Sequence, residues 1–296
     1  MLFFFTSRAY DAAKDEFTKK IADETSYVVL PHEGRNAGFR TDRATWLGKL
    51  RSEMETDEVV VFVHGYNTPQ FRMLRRLRKV KAGLRNHGYR GGIVAYSWPN
   101  REQFSKYHAD RDSVPDFARA LYADGIKPLM ALSGQTRVHL LCHSMGSYVF
   151  LMAMSGVAGT RKLSEVAFVA ADLDQPWFVP GKQGERLLSA WSGRFTNYYS
   201  TKDRVLDLSE KIIHGDPRIG GDGLPHPTGA NQQDIACADR YMSPDYDGKR
   251  ERVYSHSFYF DDGPWLRDLA LTIAGKAGGA LPTRGPAPVP PDHVLL

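Results

Sequence analysis

The segment Val138–Ser147, VHLLCHSMGS, constrains the fold of this chain more than any other. An apolar run suited to a strand buried on both faces meets a serine among small residues. A second apolar run, Ser147–Met154, leaves it with the pattern of a helix. A serine hydroxyl becomes a nucleophile when a neighbouring base takes its proton. To meet a substrate it must also project above the sheet, so the strand-to-helix turn has to be tight. That strains the backbone at the serine and demands small residues two positions away on each side. Gly146 meets the demand on one side, and Cys142 stands where glycine is usual on the other. The pattern is therefore small-x-Ser-x-Gly, with Ser144 as the expected nucleophile. The competing reading is a serine that only caps a buried helix.

Strand-like and helix-like segments alternate along the chain. Leu2–Thr6 and Tyr27–Leu30 read as short strands, and Arg43–Met54 as a helix. Val59–Val63, Ile93–Trp98, Val166–Ala171 and Phe195–Ser200 read as further strands, and Pro264–Ala274 as a closing helix. Such alternation implies βαβ units, a mostly parallel central sheet and helices on both of its faces. The stretch Ser209–Arg252 is crowded with Gly, Pro and Asp, a long loop able to act as a lid, with a short strand near Ile235–Ala238. Residues 1–280 are expected to form one domain and residues 281–296 an extended Pro-rich tail.

Ser144 at the start of a helix has unpaired backbone N–H groups beside it. The Met145 N–H is placed to stabilise an oxyanion, and a second donor is expected from the loop after an earlier strand. His64-Gly65-Tyr66-Asn67 supplies that loop, with the Tyr66 N–H as the donor and His64 holding the loop through hydrogen bonds.

Taken together, VFVHGYNT, YSWP, CHSMGS, a strand ending in ADLD, YYSTKD and HSFY resemble the DUF900 family of predicted α/β hydrolases over about residues 55 to 260. The resemblance implies the α/β-hydrolase fold and a triad in the order serine, acid, histidine. Of the histidines after Ser144, His214 and His226 lie in the long loop and His293 in the tail. His256, just before the last helix, occupies the usual place of the base and matches the family's histidine. Asp203 follows the penultimate strand and is the expected acid, with Asp172 and Asp174 as rivals one strand earlier. Trp98 and Trp177 follow strand ends and are candidates for an acyl pocket, although core packing serves them equally.

Two cysteines, Cys142 and Cys237, cannot build a disulfide framework, and neither belongs to a CxxC pair. The short apolar start lacks a basic n-region, and no apolar run reaches the ~18 residues of a membrane span. A cytoplasmic protein without an integral membrane segment is expected. Asp172, Asp174, His214 and Asp216 lack a metal-binding signature, and Gly220-Gly-Asp-Gly223 lacks the strand-to-helix context of a nucleotide loop, so neither metal nor cofactor is expected. The net charge of +5 concentrates in Arg72–Arg85. There Phe71, Leu74, Leu77, Val80 and Leu84 mark an apolar helix face and the basic residues a solvated one. The expected function is hydrolysis of a small-molecule carboxylic ester or related acyl bond, with no nucleic-acid partner. The alternative is a non-catalytic scaffold that uses the basic helix or the Pro-rich tail.

Overall fold

A computed structural model describes residues 1–31, 38–101, 103, 106–157, 161–225, 231–276, 281–287 and 293–296. Its strands are β1 (Leu2–Asp11), β2 (Glu16–Leu30), β3 (Phe39–Thr41), β4 (Glu58–Val63), β5 (Gly92–Ser97), β6 (Arg137–His143), β7 (Leu163–Val169), β8 (Ser192–Tyr199), β9 (Gln232–Ala236), β10 (Arg284–Pro286) and β11 (His293–Leu295). They form one sheet in the order β10-β11-β9-β8-β7-β6-β4-β5-β1-β2-β3. Pairing is parallel from β11 through β1 and antiparallel only at the outer pairs β10/β11, β1/β2 and β2/β3.

The helices are α1 (Arg43–Ser52), α2 (Gln70–Asn86), α3 (Tyr107–Asp112), α4 (Val114–Ala120), α5 (Lys127–Met130), α6 (Gly146–Met154), α7 (Gln183–Trp191), α8 (Arg204–Ser209), α9 (Ile219–Asp222), α10 (Ala238–Met242), α11 (Arg252–Ser255) and α12 (Gly263–Ile273). The period-2 geometry of a strand sends alternate side chains to opposite faces. Val59, Val61 and Val63 of β4 accordingly join a core with Trp46, Phe117, Val149 and Leu188. Val60 and Phe62 join the opposite core with Leu74, Leu77, Trp265 and Leu269. Both faces of the central strands are covered, which is why β4 and β6 read as continuous apolar runs.

Several expectations are corrected. The proposed tail is not an extended linker: its described residues add β10 and β11 to the sheet edge. Arg284 anchors them by donating to Asp268 at 2.7 and 2.8 Å, an ion pair inside the protein that a Pro-rich composition does not reveal. Residues 288–292 lie outside the described ones. The first two strands are longer than expected, because β1 and β2 pair from Leu2↔Leu30 out to Asp11↔Glu16. The short strand expected near Ile235–Ala238 within 209–252 is β9, which begins three residues earlier, at Gln232, and pairs with β8 inside the sheet. On α2, Leu74, Leu77, Val80 and Leu84 are buried, but Phe71 is 58% exposed and does not join their face.

Register carries the site. Val63 pairs with both Tyr96 and Cys142, His143 with Val169, and Val169 with Tyr198. The parallel strands therefore end level, and the loops leaving them meet at the C-terminal edge, where open α/β sheets place their ligand sites.

Candidate active site

Between β6 and α6 the chain turns at Ser144, whose φ is +55°. Non-glycine residues seldom occupy this left-handed region, and holding one there costs on the order of 1–3 kcal/mol. The turn is pinned on both sides: the Ser144 N–H donates to Val169 O at 3.1 Å, and the Ser147 N–H to Ser144 O at 3.0 Å. A Cβ on Gly146 would lie 2.5 Å from Val63 O and 2.6 Å from His64 O. The elbow thus seats directly on the end of β4, and only glycine fits there. Cys142 points into the core and is fully buried, so the missing first glycine costs the turn no space.

The loop after β4 comes equally close. A Cβ on Gly65 would sit 2.7 Å from Ser144 Cβ and 2.8 Å from His143 Nδ1. His64 anchors this loop: its Nδ1 lies 2.8 Å from Gly65 O, and its Nε2 accepts from the Trp98 N–H at 3.1 Å. Those two bonds fix a neutral imidazole with the proton on Nδ1. Burial, aided by the charge of Arg8, pushes the His64 pKa well below its usual value, in keeping with that state. Arg8 donates to Thr68 O at 3.1 Å and steadies the far end of the loop. Among the described residues, neither the Tyr66 nor the Met145 N–H is taken up by another main-chain group.

On the other side, Asp203 follows β8 and caps α8. Its Oδ1 accepts from the N–H groups of Val205 and Leu206 at 3.0 and 3.1 Å. Its Oδ2 accepts from His256 Nδ1 at 2.7 Å. In the tautomer that carries its proton on Nδ1, Nε2 is the basic nitrogen of the ring. His143, beside the serine, donates from Nε2 to His256 O at 2.9 Å and ties the elbow to the histidine loop. Ser144, His143 and His256 line one cavity of about 330 Å³, walled in part by Val205, Leu208, Ile213 and Val253.

Asp172 also lines this cavity but faces other partners: Arg218 Nε at 2.9 Å, the Tyr107 hydroxyl at 2.5 Å and the Ser209 hydroxyl at 3.0 Å. Burial alone would raise its pKa; the charge of Arg218 and the Tyr107 hydrogen bond hold it below the usual carboxylate value. Asp174 pairs with Arg218 as well, and lies 3.4 Å from Arg111. His214 joins the same cluster 3.0 Å from the Tyr107 hydroxyl, where burial and the two arginines lower it to about 4. The sequence reading singled out the carboxylates of this network, but not Tyr107, Arg111 or Arg218.

Trp98 and Trp177 are placed elsewhere. Trp98 is fully buried, its ring stacked on His64 at 5.1 Å and on Phe117 at 5.5 Å, and it forms part of the anchor of the His-Gly loop. Trp177 packs beside Tyr148 and Arg111. Neither lines the cavity at Ser144. The cationic cavity residues that sequence reasoning missed are Arg72, Arg76 and Arg252. Their signal was available in part: Arg72 and Arg76 stand four apart, one helical turn, directly after the His-Gly loop. His226 lies outside the described residues.

Among solved structures, a cutinase-like protein from Cryptococcus sp. is 13% identical with a TM-score of 0.40, covering 75% of this chain and 95% of that one. An esterase from Pyrococcus furiosus is 13% identical with a TM-score of 0.38, covering 73% and 83%. A predicted CIB-like hydrolase from Thermoplasma acidophilum is 13% identical with a TM-score of 0.36, covering 73% and 89%. No curated protein sequence matches the chain. The family model "Alpha/beta hydrolase of unknown function (DUF900)" matches residues 40–235, about two thirds of the sequence and the stretch that carries the elbow, the His-Gly loop and Asp203, and the chain belongs to that family.

Proposed function

We propose that the protein is a serine hydrolase that cleaves a carboxylic ester, or a related acyl bond, with Ser144 as nucleophile, His256 as base and Asp203 as the acid that orients it. The observation that carries this reading is convergence: the strained serine and the carboxylate-bound histidine, more than a hundred residues apart in the sequence, line one cavity. In the first half-reaction Ser144 Oγ attacks the ester carbonyl carbon while His256 Nε2 takes its proton. The carbonyl π electrons move to the oxygen, and the oxyanion accepts hydrogen bonds from the Tyr66 and Met145 N–H groups. Collapse breaks the carbon–oxygen bond to the leaving group, which departs as an alcohol with the proton held by His256. In the second half a water attacks the acyl-enzyme by the same route, releasing the acid and restoring Ser144. Asp203 stays ionised throughout and stabilises the imidazolium.

Steady-state hydrolysis of p-nitrophenyl esters of graded acyl length tests the proposal. Wild-type protein is expected to turn over at least one of them, and Ser144→Ala to lose that activity by about three orders of magnitude or more. Equal rates for wild type and Ser144→Ala across the whole series would rule the reading out. Among the described residues no helix is long and apolar enough to cross a membrane. The scaffold alternative gains nothing from the structure, because the described part of the tail is built into the sheet edge and Arg72 and Arg76 line the cavity.

A further inference from the structure

The cavity that holds Ser144 and His256 is lined by three arginines, Arg72, Arg76 and Arg252. Arg72 and Arg76 are stacked one turn apart on α2, where like charges destabilise a helix. They also lie in its first two turns, at the positive end of the helix dipole, with no acidic residue in the first turn. Both placements run against what a helix favours for its own sake.

The one carboxylate whose charge is recorded as acting on Arg76 is that of Asp261, at longer range than an ion pair. Among the described residues none of the three arginines has an acidic group within ion-pair distance. Arg76 lies 3.4 Å from His143 Nδ1 and stands over the Phe260 ring at 5.0 Å. Among the described residues Arg72 donates to the Asn67 carbonyl, at 3.1 Å, and stands 6.0 Å from the Phe71 ring. The nearby acids are committed elsewhere: Asp172 to Arg218, Asp203 to His256, and Asp261 to Lys79. Partial burial beside Arg72 lowers Arg76 to about 10, so it remains a cation at neutral pH. A half-buried cation without a counter-ion is costly unless a ligand supplies one. Arginine is also the side chain whose planar fork best matches a carboxylate or phosphate.

Resting on the serine-hydrolase reading above, we infer that the substrate is an ester carrying an oxyanion group, a carboxylate or a phosphate, which Arg72, Arg76 and Arg252 hold while the scissile carbonyl lies at Ser144. Arg72 and Arg76 are half-buried and Arg252 is exposed, and all three line a cavity of about 330 Å³, which takes one end of a small molecule and not a duplex or a bilayer. The exposed cations of α2, Arg75 and Arg78, point away from the buried face and have no part in this.

The test compares three acetate esters of para-substituted phenols, each enzymatic rate divided by that ester's rate of uncatalysed hydrolysis: 4-acetoxybenzoate, 4-acetoxyphenyl phosphate and the neutral methyl 4-acetoxybenzoate. The readout is the ratio of kcat/KM for an anionic ester to that for the neutral one. In wild type the ratio for at least one anion is expected to be about tenfold or more, the order for one hydrogen bond to a charged group. Arg76→Met should lower the ratio by a similar factor and Arg76→Lys should recover part of it. The anion with the larger ratio identifies carboxylate or phosphate. A wild-type ratio near one for both anions, or a ratio that neither Arg76→Met nor Arg252→Met changes, overturns the inference while ester turnover upholds the serine reading. Calorimetric binding of phenyl phosphate and benzoate to Ser144→Ala separates the two further. Binding that Arg76→Met abolishes supports the anion site even if no ester is hydrolysed, and absence of binding by both anions counts against it.

Discussion

Replacing Gly146 by alanine places one methyl group where the structure leaves no room, and the consequence is calculable. The new Cβ would lie 2.5 Å from Val63 O and 2.6 Å from His64 O, both main-chain atoms at the end of a central strand. Ordinary contact begins at 3.4 Å, so the elbow must retreat by up to 3.4 − 2.5 = 0.9 Å. Helix propensity pulls the other way, since alanine is better than glycine inside a helix by about 1 kcal/mol. Overpacking against rigid backbone costs about 1–3 kcal/mol, so a net loss of about 0–2 kcal/mol is expected. The effect on reactivity should exceed the effect on stability. Ser144 lies two residues away, and misplacing a reacting group by about 1 Å can cost about a hundredfold in rate. Urea denaturation gives the first quantity, and the second-order rate of covalent labelling by a fluorophosphonate gives the second. A Gly146→Ala protein as stable as wild type that labels within about threefold of its rate would refute the seating of the elbow on β4.

Other predictions follow from the same contacts. Asp203→Asn should keep the cap on α8, leaving stability within about 1 kcal/mol, yet lower ester turnover by about four orders of magnitude; turnover near wild type would dismiss Asp203 as the acid. Asp172→Asn should leave the buried Arg218 with Asp174 as its remaining counter-ion and cost about 2 kcal/mol in urea unfolding, the order for a lost hydrogen bond to a charged group, a loss that Asp203→Asn does not show. Burial raises Glu165 to about 7 even though Arg194 and Thr196 bond to it. Between its unfolded value of 4.5 and 7 the folded state therefore binds more proton than the unfolded state, and the contribution of Glu165 to stability is lost as pH rises through that window. The stability of wild type minus that of Glu165→Gln should fall by about 3 kcal/mol from pH 4.5 to pH 8, and a difference independent of pH would count against it.

The central strands were legible because burial on both faces leaves a continuous β-branched run, as in Val59–Val63, that little else produces. The elbow was legible despite Cys142, because what the turn requires is space, and Gly146 marks where the space is tightest. Other features depend on partners distant in sequence. Arg284 reads as one more residue of a Pro-rich tail until Asp268 is seen beside it. Trp98 obeys the rule for a pocket residue at a strand end, but His64 and Phe117 take up both of its faces. Phe71 fits the apolar spacing of α2 by position alone, one turn before the helix meets the core. The same periodicity separates the buried face of α2 from the rest without saying what the rest meets, so Arg72 and Arg76 read as solvated charges although they line the cavity. The choice between Asp172 and Asp203 as partner of His256 likewise turns on geometry that spacing does not carry.

The central claim is that Ser144 is the nucleophile. Its most direct measurement is intact-mass and peptide-mapping analysis after treatment with a fluorophosphonate. One adduct per chain, located on the peptide that carries Ser144 and absent from folded Ser144→Ala, is the predicted result. An unlabelled wild-type protein, or an adduct that persists in Ser144→Ala, would contradict it.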